Sequence, residues 1–212
     1  DDGLNAKDWT LESSDEQGPG QQTKKVKSEA TNAKNLDRVG DVKIVIDGGT
    51  LTVDAEGDGL DANGSIEING GTIVVNGPTS GANAALDYDD NGILNGGTVL
   101  FVDNGQMTMG FGSDSNQAYL MASIQGTAGS TVEVVDSSGK TVASLKASKS
   151  FSTVLISSPE IKDGEKYTIK VGSNTTTATA SKEAANLGGG PGQGGPGGGQ
   201  PGQGDPGGRQ GR

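Results

Sequence analysis

Cysteine and histidine are both missing from this 212-residue chain. Without cysteine there is no disulfide framework, a state compatible with either redox compartment. Without histidine the usual general base and the usual zinc ligand are gone. Aromatic residues make up only 3% and hydrophobic residues 30% of the sequence, too little for a bulky globular core. No apolar run approaches the ~20 residues of a membrane-spanning helix, and no signal-peptide pattern opens the chain. Basic residues are absent from one long stretch, since no Lys or Arg lies between Ile44 and Gly139. With a net charge of −11 and a pI near 4.4, nucleic acid and anionic membrane surfaces are poor partners, and membrane insertion is not expected. Cations and neutral or cation-bridged substrates fit better.

What the chain has instead is glycine, 38 of them, and repetition. Gly-Gly-Thr recurs at Gly48-Gly49-Thr50, Gly70-Gly71-Thr72 and Gly96-Gly97-Thr98, with spacings of 22 and 26 residues. Aligning the copies puts Ile46, Ile68 and Leu94 in one column, Leu51, Ile73 and Val99 in a second, and Val53, Val75 and Phe101 in a third. Apolar positions alternate with polar ones on either side of each glycine pair, which is the two-residue period of strands. About twenty-two residues make one coil of roughly three short strands, and coils stacked about 4.8 Å apart place each column on itself. The fold expected is therefore all-β, a parallel β-helix; a leucine-rich repeat would need a consensus and a helical half that are not visible. Asp47, Asn69 and Asn95, just before the glycines, form a further column that reads either as an Asx ladder at the corner or as a ligand position.

In chain order, residues 1–12 read as the tail of a truncated coil, because Asp2-Gly3-Leu4-Asn5-Ala6 resembles Asp58-Gly59-Leu60-Asp61-Ala62. The chain is thus expected to begin inside a coil, with upstream coils and any export signal missing. Residues 13–41 break the pattern as an inserted loop carrying much of the basic charge, either solvated or covering the acidic face. Residues 42–130 hold the coils. Within 131–173, Thr131–Val135, Thr141–Leu145, Ser152–Ile156 and Lys166–Val171 alternate like four strands, with Ser137-Ser138-Gly139-Lys140 as a hairpin turn. They are expected to form a small antiparallel β cap over the C-terminal end of the stack. Residues 174–212 read as a flexible, disordered Gly/Pro/Gln-rich tail, since glycine's third-residue rhythm lasts only from Gly189 to Gly198 and collagen is excluded.

The chemistry lies in the connectors. From Asp47 to Asp103 the carboxylates are Asp47, Asp54, Glu56, Asp58, Asp61, Glu67, Asp87, Asp89, Asp90 and Asp103. Stacking brings such groups close enough to repel unless something compensates them, and calcium, which takes six to eight oxygens in flexible geometry, is the obvious compensator. Asp87-Tyr88-Asp89-Asp90-Asn91-Gly92 matches the start of an EF-hand loop, yet its twelfth position is Thr98; Asp54-Ala55-Glu56-Gly57-Asp58-Gly59 fails likewise at Ser65. These turns remain open as calcium corners of another kind or as acidic turns that keep the surface soluble. The candidate metal ligands are Asp58, Asp61, Asp87, Asp89 and Asn91. The candidate carbohydrate contacts are Trp9, Tyr88 and Asp90, with Tyr119 a further aromatic; a Tyr inside an acidic turn either packs its own loop or stacks on sugar.

The recurring D-G-L-[DN]-A and I-x-I-N-G-G-T-I-x-V, with G-P-T-S-G-A-N-A-A-L-D-Y and S-K-S-F-S-T-V-L-I-S-S-P-E-I-K-D-G-E-K-Y-T-I, resemble a family of bacterial, clostridial-type carbohydrate-binding proteins over roughly Asp1 to Ser173. The resemblance implies a polysaccharide-lyase-like right-handed β-helix with bound calcium on secreted or cell-surface proteins. It implies binding of cellulose-like or acidic plant polysaccharide without established hydrolysis. A polysaccharide lyase is the second class, but it needs a base to take the proton α to the uronate carboxylate, and the repeats contain no Lys or Arg. A structural stalk or adhesin is the third, with a Thr-ladder ice-binding face as a poor fourth. The reading therefore expects a non-catalytic, monomeric, calcium-dependent polysaccharide binder.

Overall fold

The computed structural model describes residues 2–6 and 42–187. The truncated coil beyond Ala6 with Trp9, the inserted loop through residue 41 and the tail from 188 lie outside the described residues. The described residues form strands and no helix.

Three short parallel ladders carry the repeats. The first joins β1 (Leu4–Ala6), β4 (Leu60–Ala62) and β7 (Leu86–Tyr88); the second joins β2 (Lys43–Ile46), β5 (Ser65–Ile68) and β8 (Gly92–Leu94); the third joins β3 (Thr50–Asp54), β6 (Thr72–Asn76) and β9 (Thr98–Asp103). The aligned columns pair in register: Ile46 with Ile68 and Ile68 with Leu94, and Leu51, Ile73 and Val99 likewise beside Val53, Val75 and Phe101. Between the second and third ladders the chain turns on the repeated glycine pair. Its second member has positive φ each time, 87° at Gly49, 98° at Gly71 and 99° at Gly97, a region that a Cβ disfavours. Beside this corner the Asx column hydrogen-bonds along itself. Asn69 Nδ2 donates to Asp47 Oδ1 at 2.9 Å, Asn95 Nδ2 to Asn69 Oδ1 at 2.8 Å, and Asn116 Nδ2 extends the row to Asn95 Oδ1 at 2.7 Å.

The expectation of a parallel β-helix with a small antiparallel cap is overturned by the pairing of the strands beyond β9. Strand β14 (Phe151–Ser157) pairs antiparallel with β9, and β11 (Leu120–Gly126) pairs antiparallel with β14. The third ladder is thus part of a five-stranded mixed sheet in the order β11-β14-β9-β6-β3. A separate, wholly antiparallel sheet has the order β13-β12-β15-β16, from β12 (Thr131–Val135), β13 (Thr141–Lys146), β15 (Lys166–Val171) and β16 (Asn174–Thr179). β10 (Thr108–Met109) and β17 (Asn186–Leu187) form a two-stranded pair. The Thr/Ala stretch expected in the tail is therefore strand at Asn174–Thr179, and the β14 segment expected in the cap belongs to the mixed sheet.

The physical reason is burial on two sides. Val99, Phe101 and Leu155 face the core enclosed by the ladders, with Ile68, Ile73, Val75, Leu86 and Leu94. Their neighbours Leu100, Val102, Val154 and Ile156 face a second core, shared with Val132, Val134, Tyr167 and Ile169 of the antiparallel sheet. Strands buried on both faces read as continuous apolar runs, as VLFV within β9 and VLI within β14 do. Three strands per ladder cover too little of this surface by parallel stacking alone, so the antiparallel half is a packing layer of the fold and not a plug at its end.

Candidate functional site

The acidic residues gather on the first ladder because the D-G-L connectors lie on one another at close range. Leu60 and Leu86 point inward and are buried, so the residues beside them, Asn5, Asp61 and Asp87, share one outward column, paired in register. Glycine makes the approach possible: a Cβ on Gly59 would stand 2.4 Å from the Ala85 carbonyl oxygen and 2.3 Å from Val75 Cγ1. The Asp two residues before each Leu then caps the copy above. Asp58 N–H donates to Asp2 Oδ1 at 3.3 Å, and Ala84 N–H donates to Asp58 Oδ1 at 2.7 Å. In the third copy this position is Ala84, so the acidic series stops there.

Three carboxylates converge. One oxygen each from Asp2, Asp58 and Asp61 lies within 4.8 Å of the others, and Asn5 Nδ2 donates both to Asp2 Oδ2 at 2.9 Å and to Asp61 Oδ2. Asp87 is half-buried beside them. Burial, and then the charges of Asp58, Asp61 and Asp89, push its carboxyl above the ordinary range. Asp58, Asp61 and Asp87 are thus brought together, while Asp89 sits at the exposed outer turn, accepting from Asn63 Nδ2 at 3.4 Å. Asn91 turns elsewhere, donating to Asp114 Oδ2 at 3.0 Å. Asp90 is exposed, on the same turn as Asp89. Asp2 and Asn5 were missed as site residues, although the likeness of residues 2–6 to 58–62 is the signal that finds them.

The aromatic candidates are inward. Tyr88 packs against the ladder core, with its ring lying over Gly92, and its hydroxyl donates to the Gly110 carbonyl at 2.6 Å; burial raises its pKa. Tyr119 is buried edge-on to Phe111, its hydroxyl in reach of the Glu183 carbonyl at 2.7 Å. Among the described residues every aromatic side chain is buried or half-buried. A cation, by contrast, does reach the acidic connectors. Lys149, from the turn before β14, places Nζ 2.8 Å from Glu56 Oε1 and donates to the Ala55 carbonyl, and this contact lowers the pKa of Glu56. The basic partner that the repeats lack comes from the antiparallel half.

The described residues define an all-β domain of mixed and antiparallel sheets whose connectors carry carboxylate and amide groups. The chain belongs to the family of carbohydrate-binding domain-containing proteins, whose model matches residues 18–191. No curated protein and no solved structure matches it.

Proposed function

We propose that this protein binds polysaccharide without cleaving it, in secreted or cell-surface form, and that calcium held by Asp2, Asp58, Asp61 and Asp87 contributes to its stability and to binding of acidic chains. The observation that carries the calcium reading is the convergence of carboxylate oxygens from successive connectors within 4.8 Å. Two oxygens that both ligate one calcium at about 2.3–2.6 Å lie no more than about 5 Å apart, so this spacing fits the ion. The donors are all hard oxygens, and a divalent charge offsets the repulsion that disfavours ionised Asp87. A bound ion with an open coordination position takes a uronate carboxylate or sugar hydroxyl in place of water.

Family membership supports the carbohydrate, and the engaged state of Lys149 supports a non-catalytic role: its amine is held by Glu56 and Ala55 and is not presented as a free base. The test is melting temperature and polygalacturonate binding for the parent and for Asp58→Asn with Asp61→Asn, each in calcium and in EDTA. A ligand at a hundredfold excess over Kd adds about 2.7 kcal/mol to the folded state. The parent is expected to melt higher in calcium and the variant to lose that response, with no unsaturated product formed. Identical melting of the parent in both buffers rejects the ion, and product release rejects the non-catalytic reading.

A further inference from the structure

We propose that the groove between β11, the start of β14 and β16 is a second, calcium-independent site that binds a neutral, hydroxyl-rich glycan. The inference rests on the carbohydrate-binding reading and assigns it a place and a ligand class. The groove is shallow and open, with a volume of about 660 Å³, and is lined by residues including Gly105, Ser123, Gln125, Thr153, Asn174 and Thr176, with no acidic or basic side chain in its wall. Sugar hydroxyls both donate and accept, and amides and hydroxyls answer them in both senses. A uronate would find no counter-charge in this wall, on a protein of net charge −11. The neutral wall therefore selects a neutral chain.

The floor of the groove is built for a ligand. Ser123 and Thr153 lie side by side on β11 and β14, and Asp103 of β9, next in that row, is buried and outside the lining. Thr153 is only 2% exposed, yet its hydroxyl has no hydrogen-bond partner among the described residues. No buried side-chain oxygen there is both sealed from solvent and unpartnered, so this Oγ1 keeps a small exposed area on the groove it lines. That area is kept by Gly105: a Cβ there would stand 2.5 Å from Thr153 Oγ1 and cover it. Gly105 is fixed in place by its N–H, which donates at 2.9 Å to Oδ1 of the buried Asp103, the same oxygen that Thr108 engages. On the rim the register of β11 against β14 shifts between Ser123 and Gly126, a bulge of the kind that re-aims side chains, and Ser123 and Gln125 are both exposed. Asn174 Nδ2 donates to the Gln125 carbonyl at 2.8 Å. That bond ties the two sheets together across the groove and leaves the Gln125 amide for a ligand.

The test uses the full chain, with hydroxyethyl cellulose as the neutral probe and polygalacturonate as the acidic one, each titrated in calcium and in EDTA. The parent is expected to bind the neutral polymer equally in both buffers. Thr153→Val keeps the shape and removes a hydroxyl that bonds nothing in the protein, and Gln125→Ala changes an exposed side chain. Each is expected to weaken neutral binding about three- to tenfold, the loss of one net hydrogen bond, and to leave polygalacturonate binding and melting temperature as in the parent. Gln125→Ala keeps the test open should Thr153→Val fail to fold. Unchanged neutral affinity in the folded variants, or a parent that binds only polygalacturonate, overturns the groove while leaving the carbohydrate reading intact. A parent that binds neither polymer overturns both.

Discussion

Gly59 and Gly48 are both repeat glycines, and the structure separates them. At Gly48 a Cβ meets nothing within 4 Å and φ is unexceptional. At Gly59 the same atom would lie 2.3 Å from Val75 Cγ1 and 2.4 Å from the Ala85 carbonyl oxygen. The valine can shift, but the carbonyl belongs to the backbone that accepts the Leu60 N–H at 3.0 Å. Relief therefore means pushing β4 away from β7 and loosening the ladder that aligns Asp61 with Asp87. Overpacking of this kind costs about 1–3 kcal/mol, and in a domain of this size each kcal/mol moves the melting temperature by about 2–4 °C. Gly59→Ala is expected to melt roughly 2–12 °C below the parent and to lose most of its calcium-dependent rise, whereas Gly48→Ala stays within about a degree or two. Paired thermal melts by circular dichroism, with and without EDTA, provide the measurement. Equal melting of Gly59→Ala and the parent would mean that the connectors do not stack at this distance, and the carboxylate cluster built on that stacking would fall with it.

Two further substitutions probe the same region. Asp87 has its folded pKa raised by burial and by Asp58, Asp61 and Asp89. In EDTA, stability is therefore lost as pH rises from the unfolded carboxylate value through the raised folded one. Asp87→Asn is expected to melt above the parent at neutral pH in EDTA, to match it at low pH, and to gain less from calcium; a variant less stable than the parent in neutral EDTA refutes the electrostatic account. Tyr88→Phe removes the bond to the Gly110 carbonyl and is expected to cost about 0.5–1.5 kcal/mol with polysaccharide affinity unchanged, while weaker binding at unchanged melting temperature would make the ring a sugar platform after all.

By itself the sequence determined the strands of the repeats, their register and the outward column of acids. Period-two alternation and the recurrence of Gly-Gly-Thr and D-G-L are local signals, and identical copies laid side by side place identical residues together, as Ile46, Ile68 and Leu94 and the Asp47–Asn69–Asn95 ladder illustrate. The same comparison contained Asp2, whose oxygen completes the carboxylate cluster. Only the tertiary structure decided what covers the third ladder. Nothing local in FSTVLIS distinguishes a strand that pairs with its neighbours in sequence from one that crosses to β9, and this pairing turns three parallel ladders and a supposed cap into a mixed sheet with a core on each face. Long-range pairing likewise brought Lys149 to Glu56, 93 positions away in a region without a basic residue. It also made the groove, because Gly105, Ser123, Thr153 and Asn174 share no motif and meet only where β11, β14 and β16 converge. Periodicity reports which face of a strand is dry; which distant strand dries it is settled by the competition among apolar surfaces for burial, and that is a property of the whole chain.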